Sequence, residues 1–187
     1  MIQIRHLSKH YGKRQILNNI SLDVKEGTCV GILGENGCGK STMLSILAGT
    51  LPMDGGSFFY RGEDLFQNRR LQAAAVGYVP QGTPLLEELN AMDNLRLWYH
   101  SRREIKEELE DGVLAMLGIP DFLKVRVSRM SGGMKKRLSI GCSVAHHPQI
   151  LLLDEPSAAL DLICKERIAN YLTEFKAQGG IVLLTTH

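Results

Sequence analysis

Apolar and polar positions follow two rhythms along this chain. Ile2 to Leu7 and Ile16 to Val24 have strand-like content, separated by a turn at Tyr11-Gly12. Cys29 to Leu33 is a nearly continuous apolar run, which predicts a strand buried on both faces of a parallel sheet. From Lys40 to Ala48, Met43, Leu44 and Leu47 stand at helical spacing, and Gly49 supplies a stop. Ser57 to Tyr60, followed by a turn near Gly62, predicts a small antiparallel arm. Val76 to Val79 predicts a short strand ending at Pro80-Gln81.

The rhythm changes from about Asn90 to Gly118. Ile105, Leu109, Val113 and Leu117 recur every four residues with charges between them, which predicts one amphipathic helix ended by Gly118 and Pro120. Ser131 is a good N-cap for a further helix running to the His146-His147-Pro148 break. Ile150 to Leu153 predicts a buried strand. Asp161 is placed to cap a helix striped by Ile168, Leu172 and Phe175 and stopped by Gly179-Gly180; Ile181 to Thr185 predicts a last strand. This alternation of strand and helix argues for an α/β fold with a central parallel sheet and a mostly helical insertion between Gln81 and Ser131.

Composition narrows the classes. The 187 residues suit one domain, and 44% apolar content is ordinary for a globular protein. A formal charge of +2 is too small to argue for nucleic acid or an anionic membrane surface. The longest apolar runs fall well short of the ~20 residues that span a bilayer, and the charged start MIQIRHLSKH has no signal-peptide core. Cys29, Cys38, Cys142 and Cys164 lack CxxC spacing and read as reduced thiols.

Gly34-Glu35-Asn36-Gly37-Cys38-Gly39-Lys40-Ser41 fits the phosphate loop G-x-x-x-x-G-K-[ST] without a gap, between a strand and a helix. Glycines let the backbone curl so that N–H groups from about Gly37 to Ser41 point inward, at the positive end of the following helix. Lys40 is expected to reach the β- and γ-phosphates of a nucleotide, the Ser41 hydroxyl to ligate Mg²⁺, and Thr42 to meet the α-phosphate. Cys38 is either a tolerated small residue or a thiol activated by the helix terminus and Lys40, whose alkylation would block nucleotide binding.

Downstream, Asp154 and Glu155 follow the Ile150 to Leu153 strand, at the sheet edge where open α/β proteins bind ligands. Asp154 is placed to hold Mg²⁺, through water or through Ser41, and Glu155 to orient the attacking water. Ser131-Gly132-Gly133 opens a second helix and so forms a second anion site; taken alone it reads rather as an ordinary N-cap followed by a flexible turn.

Together these residues resemble an ATP-binding cassette (ABC) ATPase, the nucleotide-binding domain of a transporter, from Tyr11 to His187. GENGCGKST resembles its Walker A, ILLLDEP its Walker B and MSGGM its signature, with Met130 and Met134 departing from the usual Leu and Gln. Ser157-Ala158-Ala159-Leu160-Asp161 resembles the D-loop, Gln81 the Q-loop and His187 the switch histidine. The resemblance implies a P-loop NTPase fold with a mostly parallel central sheet, a small antiparallel β subdomain and a helical subdomain at about 82–130. It implies ATP and Mg²⁺ as ligands, with Gln81 reaching the metal or the water, Tyr11 stacking on adenine and His187 contacting the γ-phosphate. It also implies a head-to-tail dimer, homo- or heteromeric, in which each chain's Ser131-Gly132-Gly133 completes the other's site.

The same resemblance implies an integral membrane permease as partner and a cytoplasmic place on the inner face of the cell membrane, with no nucleic acid. SGGMKKRLSIG resembles cassettes that serve exporters. Family members continue past the histidine, so the resemblance implies a chain cut short after His187, with an exposed sheet edge and lowered stability. Tyr11 could instead pack in a turn, Gln81 be a loop residue and His187 a terminal one. Leu85, Leu86 and Leu89 are either a permease-facing patch or core. Lys135, Lys136 and Arg137 read as a solvated face, and His146 and His147 as surface residues. Two rivals stand beside a transport ATPase: a soluble ABC ATPase acting on ribosomes or DNA, and a nucleotide-binding module without turnover. The stretch between Gln81 and Ser131 leaves no room for the long coiled coil common in the first.

Overall fold

The computed structural model describes residues 1–156 and 160–186. Two four-stranded sheets form its frame. The first is antiparallel, ordered β2 (Arg14–Val24), β1 (Ile2–Tyr11), β4 (Gly55–Tyr60), β5 (Glu63–Asp64). The second is wholly parallel, ordered β3 (Cys29–Leu33), β8 (Ile181–Thr186), β7 (Ile150–Leu153), β6 (Val76–Val79).

Strand alternation divides the core. Ile150 and Leu152 of β7, with Ile181 and Leu183 of β8, pack on the side of the antiparallel sheet, joined there by Ile4, Phe58 and, from α1 (Lys40–Leu47), Leu44. Leu151, Leu153 and Val182 face the other way, toward Leu138 of α6 (Gly132–Ser143) and Ile168 of α7 (Leu162–Ala177). All four side chains of β7 are fully buried, each contributing about 1.5–3 kcal/mol. The period of two thus lets one strand serve two cores.

Expected caps form as the residue types dictate. Ser131 Oγ accepts the Met134 N–H at 3.2 Å, and Asp161 Oδ1 accepts that of Cys164 at 2.8 Å. Gly49, with φ 76°, ends α1 in the left-handed conformation that glycine adopts at least cost.

Two expectations fail. β3 is not buried on both faces: it is the edge strand of the parallel sheet, and Leu33 is 72% exposed. An apolar run reports affinity for a sheet but not the strand's place in it. Beyond α2 (Arg69–Ala75), the single amphipathic helix expected between Asn90 and Gly118 is instead α3 (Ala91–Leu95), α4 (Arg102–Glu110) and α5 (Val113–Met116). Asn90 and Ser101 cap the first two through side-chain oxygens that accept Asp93 and Glu104 N–H groups. Between α4 and α5 the Glu108 carboxylate accepts the Val113 N–H at 2.7 Å, competing with helical bonding, and a Cβ on Gly112 would lie 2.2 Å from Glu108 Oε2. The break still sends Ile105, Leu114 and Leu117 into the core.

Candidate functional site

Because all four strands of the second sheet run parallel, their C-terminal ends share one edge. The Gly34 loop leaves β3 there, Pro80-Gln81 leaves β6, Asp154-Glu155 leaves β7, and Thr185 stands near the end of β8. Residues far apart in sequence therefore meet at the position where such sheets bind ligands.

The loop is shaped by what glycine permits. Gly39 has φ 105°, and a Cβ there would also lie 2.9 Å from Ile16 Cγ2, so the loop packs directly on β2. At Gly34 a Cβ would meet Cys38 Sγ at 2.8 Å; the Cys38 side of the loop is exposed. Lys40 is 7% exposed, and its ammonium donates to the carbonyls of Gly34 at 2.6 Å and Glu35 at 3.1 Å. No acidic residue stands in the first turn of α1, so the positive end of that helix is not offset locally.

A cleft of about 430 Å³ opens over this loop. Asn36, Gly37, Gly39, Lys40, Ser41 and Thr42 line one side, and Gln81 and Glu155 the other. Arg14 and Ile16 of β2 complete the wall, and neither was anticipated. The available signal was the hairpin: Arg14 pairs with Tyr11 across the Gly12 turn. Tyr11 itself is half-exposed and does not line the cleft; the Lys9 ammonium sits 5.8 Å from its ring centre. Gly34, Glu35 and Cys38 shape the loop without lining the cleft, and Ser131, Gly132 and Gly133 do not line it either.

The carboxylates occupy different environments. Asp154 is buried, and its Oδ1 accepts the Thr185 hydroxyl at 2.6 Å. Glu155 has φ 48°, a conformation that is unusual for a residue with a side chain. Its N–H donates to Thr185 Oγ1 at 2.9 Å, and its carboxylate accepts the Gln81 amide at 2.9 Å. Thr185 was also missed. A hydroxyl at the end of an apolar strand was the signal, since a buried hydroxyl requires a partner.

The basic run on α6 corrects the expectation of a solvated face. Lys136 is 5% exposed and donates to the carbonyls of Pro80 at 3.0 Å and Gln81 at 3.4 Å. Burial lowers its pKa, opposed by the negative charges of Asp154 and Glu155. Arg137 is buried too, donating to the Leu117 carbonyl at 2.8 Å with its guanidinium over the Phe122 ring. Lys135 is half-buried and pairs with Glu87 at 3.1 Å. Long stems and multiple donors let these cations pack into the interior while meeting carbonyls that helix spacing does not reveal.

Around the second Gly-rich turn, Met130 is buried in the core and Ser131 and Gly132 are exposed. Gly133 lies against Cys164, whose sulfur would be 2.4 Å from a Cβ at that position. The three leucines after Gln81 divide: Leu85 joins the core, Leu89 is partly buried, and Leu86 is exposed. His146 and His147 are exposed, as expected. His187 and, of the D-loop stretch, Ser157, Ala158 and Ala159 lie outside the described residues. No helix among the described residues is long and apolar enough to cross a membrane.

The sequence profile of the family described as ABC transporter matches residues 17–158. The linearmycin resistance ATP-binding protein LnrL of Bacillus subtilis is 32% identical over 191 residues, covering all of this chain and 61% of the relative. The Nod factor export ATP-binding protein I of Sinorhizobium fredii is 35% identical over 192 residues, covering all of this chain and 55% of that protein. The chain thus spans under two thirds of the length of these relatives. A solved dimeric structure of a post-hydrolysis ATP-binding cassette bound to ADP and Pi superposes with a TM-score of 0.86 at 27% identity, covering all of this chain and 88% of the other.

Proposed function

This chain belongs to the ABC transporter family, and on that premise we propose that it is the ATP-binding part of a transporter, which binds Mg-ATP in the cleft and hydrolyses it. The observation that carries this reading is the convergence of Lys40, Ser41 and Thr42 with Gln81 and Glu155 on one cleft. Amides of the loop and the α1 terminus bind the phosphates, Lys40 leaves the Gly34 and Glu35 carbonyls for phosphate oxygens, and Thr42 supports the α-phosphate. Glu155 orients and polarises the attacking water, with Gln81 fixing the carboxylate. Tyr11 supports the adenine from the mouth of the cleft beside Arg14, and His187 contacts the γ-phosphate.

The donor set suits Mg²⁺, which takes hard oxygen ligands and relies on one or two carboxylates plus substrate phosphates. The Ser41 hydroxyl, the Asp154 carboxylate and the Gln81 amide oxygen would hold it. When bound it neutralises charge on the phosphate oxygens.

Ser131, Gly132 and Gly133 stand outside the cleft at a second helix terminus, where Ser131 and Gly132 are exposed. Their role is to close over a partner chain's nucleotide in a head-to-tail dimer, a reading supported by the dimeric cassette to which this chain is similar. The further partner is an integral membrane permease, with this chain docked on the cytoplasmic face of the membrane, and the direction is export, in line with the Nod factor export relative.

Equilibrium titration with Mg-ATP alongside ATPase assays tests the reading. Glu155→Gln retains binding while turnover falls about 100- to 10,000-fold, a barrier increase of about 3–5 kcal/mol. Lys40→Ala loses binding. Wild-type protein without turnover would refute hydrolysis and leave a nucleotide-binding module; a Glu155→Gln variant that turns over normally would refute the role of Glu155 in orienting the water.

A further inference from the structure

We propose that Thr185 is a positioning residue that sets the relation between Asp154 and Glu155 through one hydroxyl; the proposal rests on the hydrolysis reading above. The sheet register brings them together: Leu153 of β7 pairs with Leu184 of β8, so the next residue along each strand is Asp154 beside Thr185. The Thr185 side chain is fully buried, and its hydroxyl cannot exchange these partners for water. It donates its proton to Asp154 Oδ1 at 2.6 Å and accepts the Glu155 N–H at 2.9 Å on a lone pair. One oxygen therefore fixes both the side-chain rotamer of Asp154 and the backbone of Glu155.

The backbone restraint matters because Glu155 adopts φ 48°, in the left-handed region that residues with a Cβ seldom occupy. That conformation persists when surrounding contacts enforce it, and here the enforcing contact at its amide is Thr185. It also directs the Glu155 side chain toward Gln81, whose amide meets it from the loop after β6, on the far side of β7. Thr185 is thus coupled to the water-orienting carboxylate without lining the cleft itself.

Three measurements on purified protein test this: steady-state kinetics, nucleotide Kd with Mg²⁺ and with EDTA, and hydrogen exchange at the Glu155 amide. Thr185→Val keeps the shape and removes the hydroxyl; Thr185→Ser keeps the hydroxyl. For Thr185→Val, kcat falls about 10- to 100-fold, the Kd in EDTA stays within about threefold, and the Glu155 amide exchanges at least about tenfold faster. Thr185→Ser stays within about threefold of wild type in all three. Wild-type kcat in the Val variant overturns the proposal. So does a parallel loss of binding and turnover, or a Ser variant as impaired as Val, either of which marks a purely structural residue. If wild type binds Mg-ATP without turning over, the hydrolysis reading fails instead, and amide exchange still decides the bridge: unchanged protection in Thr185→Val overturns it.

Discussion

The Gln81 amide donates a hydrogen bond to the Glu155 carboxylate over 2.9 Å, joining two residues 74 positions apart. It ties the loop that opens the helical insertion to the acid that follows β7. Gln81→Ala is expected to lower kcat about 10- to 100-fold with Kd for Mg-ATP within about threefold. Gln81→Glu sets two carboxylates together, which raises the pKa of one of them. Its kcat should recover as pH falls and a proton is shared between them, whereas that of Gln81→Ala should not. A pH profile of kcat for the two variants checks this.

Lys136 holds the backbone of that same loop from α6. Lys136→Met removes both hydrogen bonds but also relieves the desolvated ammonium, and Gln81 is exposed enough for its carbonyl to find water. The two effects oppose, so urea unfolding should move by less than about 1.5 kcal/mol. Turnover should fall about tenfold because the Gln81 amide loses its anchored backbone. A large stability loss with intact kcat would contradict this account.

Gly133 and Cys164 are in close contact: a Cβ at 133 would lie 2.4 Å from the sulfur. Gly133→Ala should destabilise by about 1–3 kcal/mol through overpacking. Cys164→Ala removes the obstructing atom, so the double variant should recover most of that loss. A double-mutant cycle by urea denaturation reads the coupling directly; additive costs would show that the sulfur is not the obstacle.

Burial pushes the Cys142 thiol up from 9.0 to about 12. The folded pKa exceeds the unfolded one, so this contribution is complete below pH 9 and is lost as pH rises toward 12. Buried Tyr99 and Tyr171 shift the same way and add to the decline above pH 10. Stability of the wild type should therefore fall between pH 8 and 10, by about 1 kcal/mol more than that of Cys142→Ala. Parallel curves for the two proteins would place the thiol in water.

Local chemistry was legible in the sequence. β3, β6 and β7 lie where their apolar runs predicted, and Ser131 and Asp161 cap the helices that their side chains can cap. These signals survive because each depends on near neighbours: pleat alternation, a hydroxyl or carboxylate beside an orphan N–H, a glycine free to take positive φ. The phosphate loop belongs to this class, and so do the two acids at the end of a strand.

Tertiary structure decided what depends on neighbours distant in the chain. Strand order left β3 at the sheet edge with Leu33 exposed, although its composition suits a buried strand. The Glu108 carboxylate at the Val113 amide broke a helix that the four-residue period extended. Lys136 turned inward because carbonyls of Pro80 and Gln81 lay within reach of its stem. Thr185 acquired two partners because parallel register set it beside Asp154. The sequence by itself determined the short apolar strands, the helices with side-chain caps at Ser131 and Asp161, and which residue types can bind phosphate. Only the folded chain determined which of them meet, because hydrogen bonds extend about 3 Å and no periodicity encodes contacts across tens of residues.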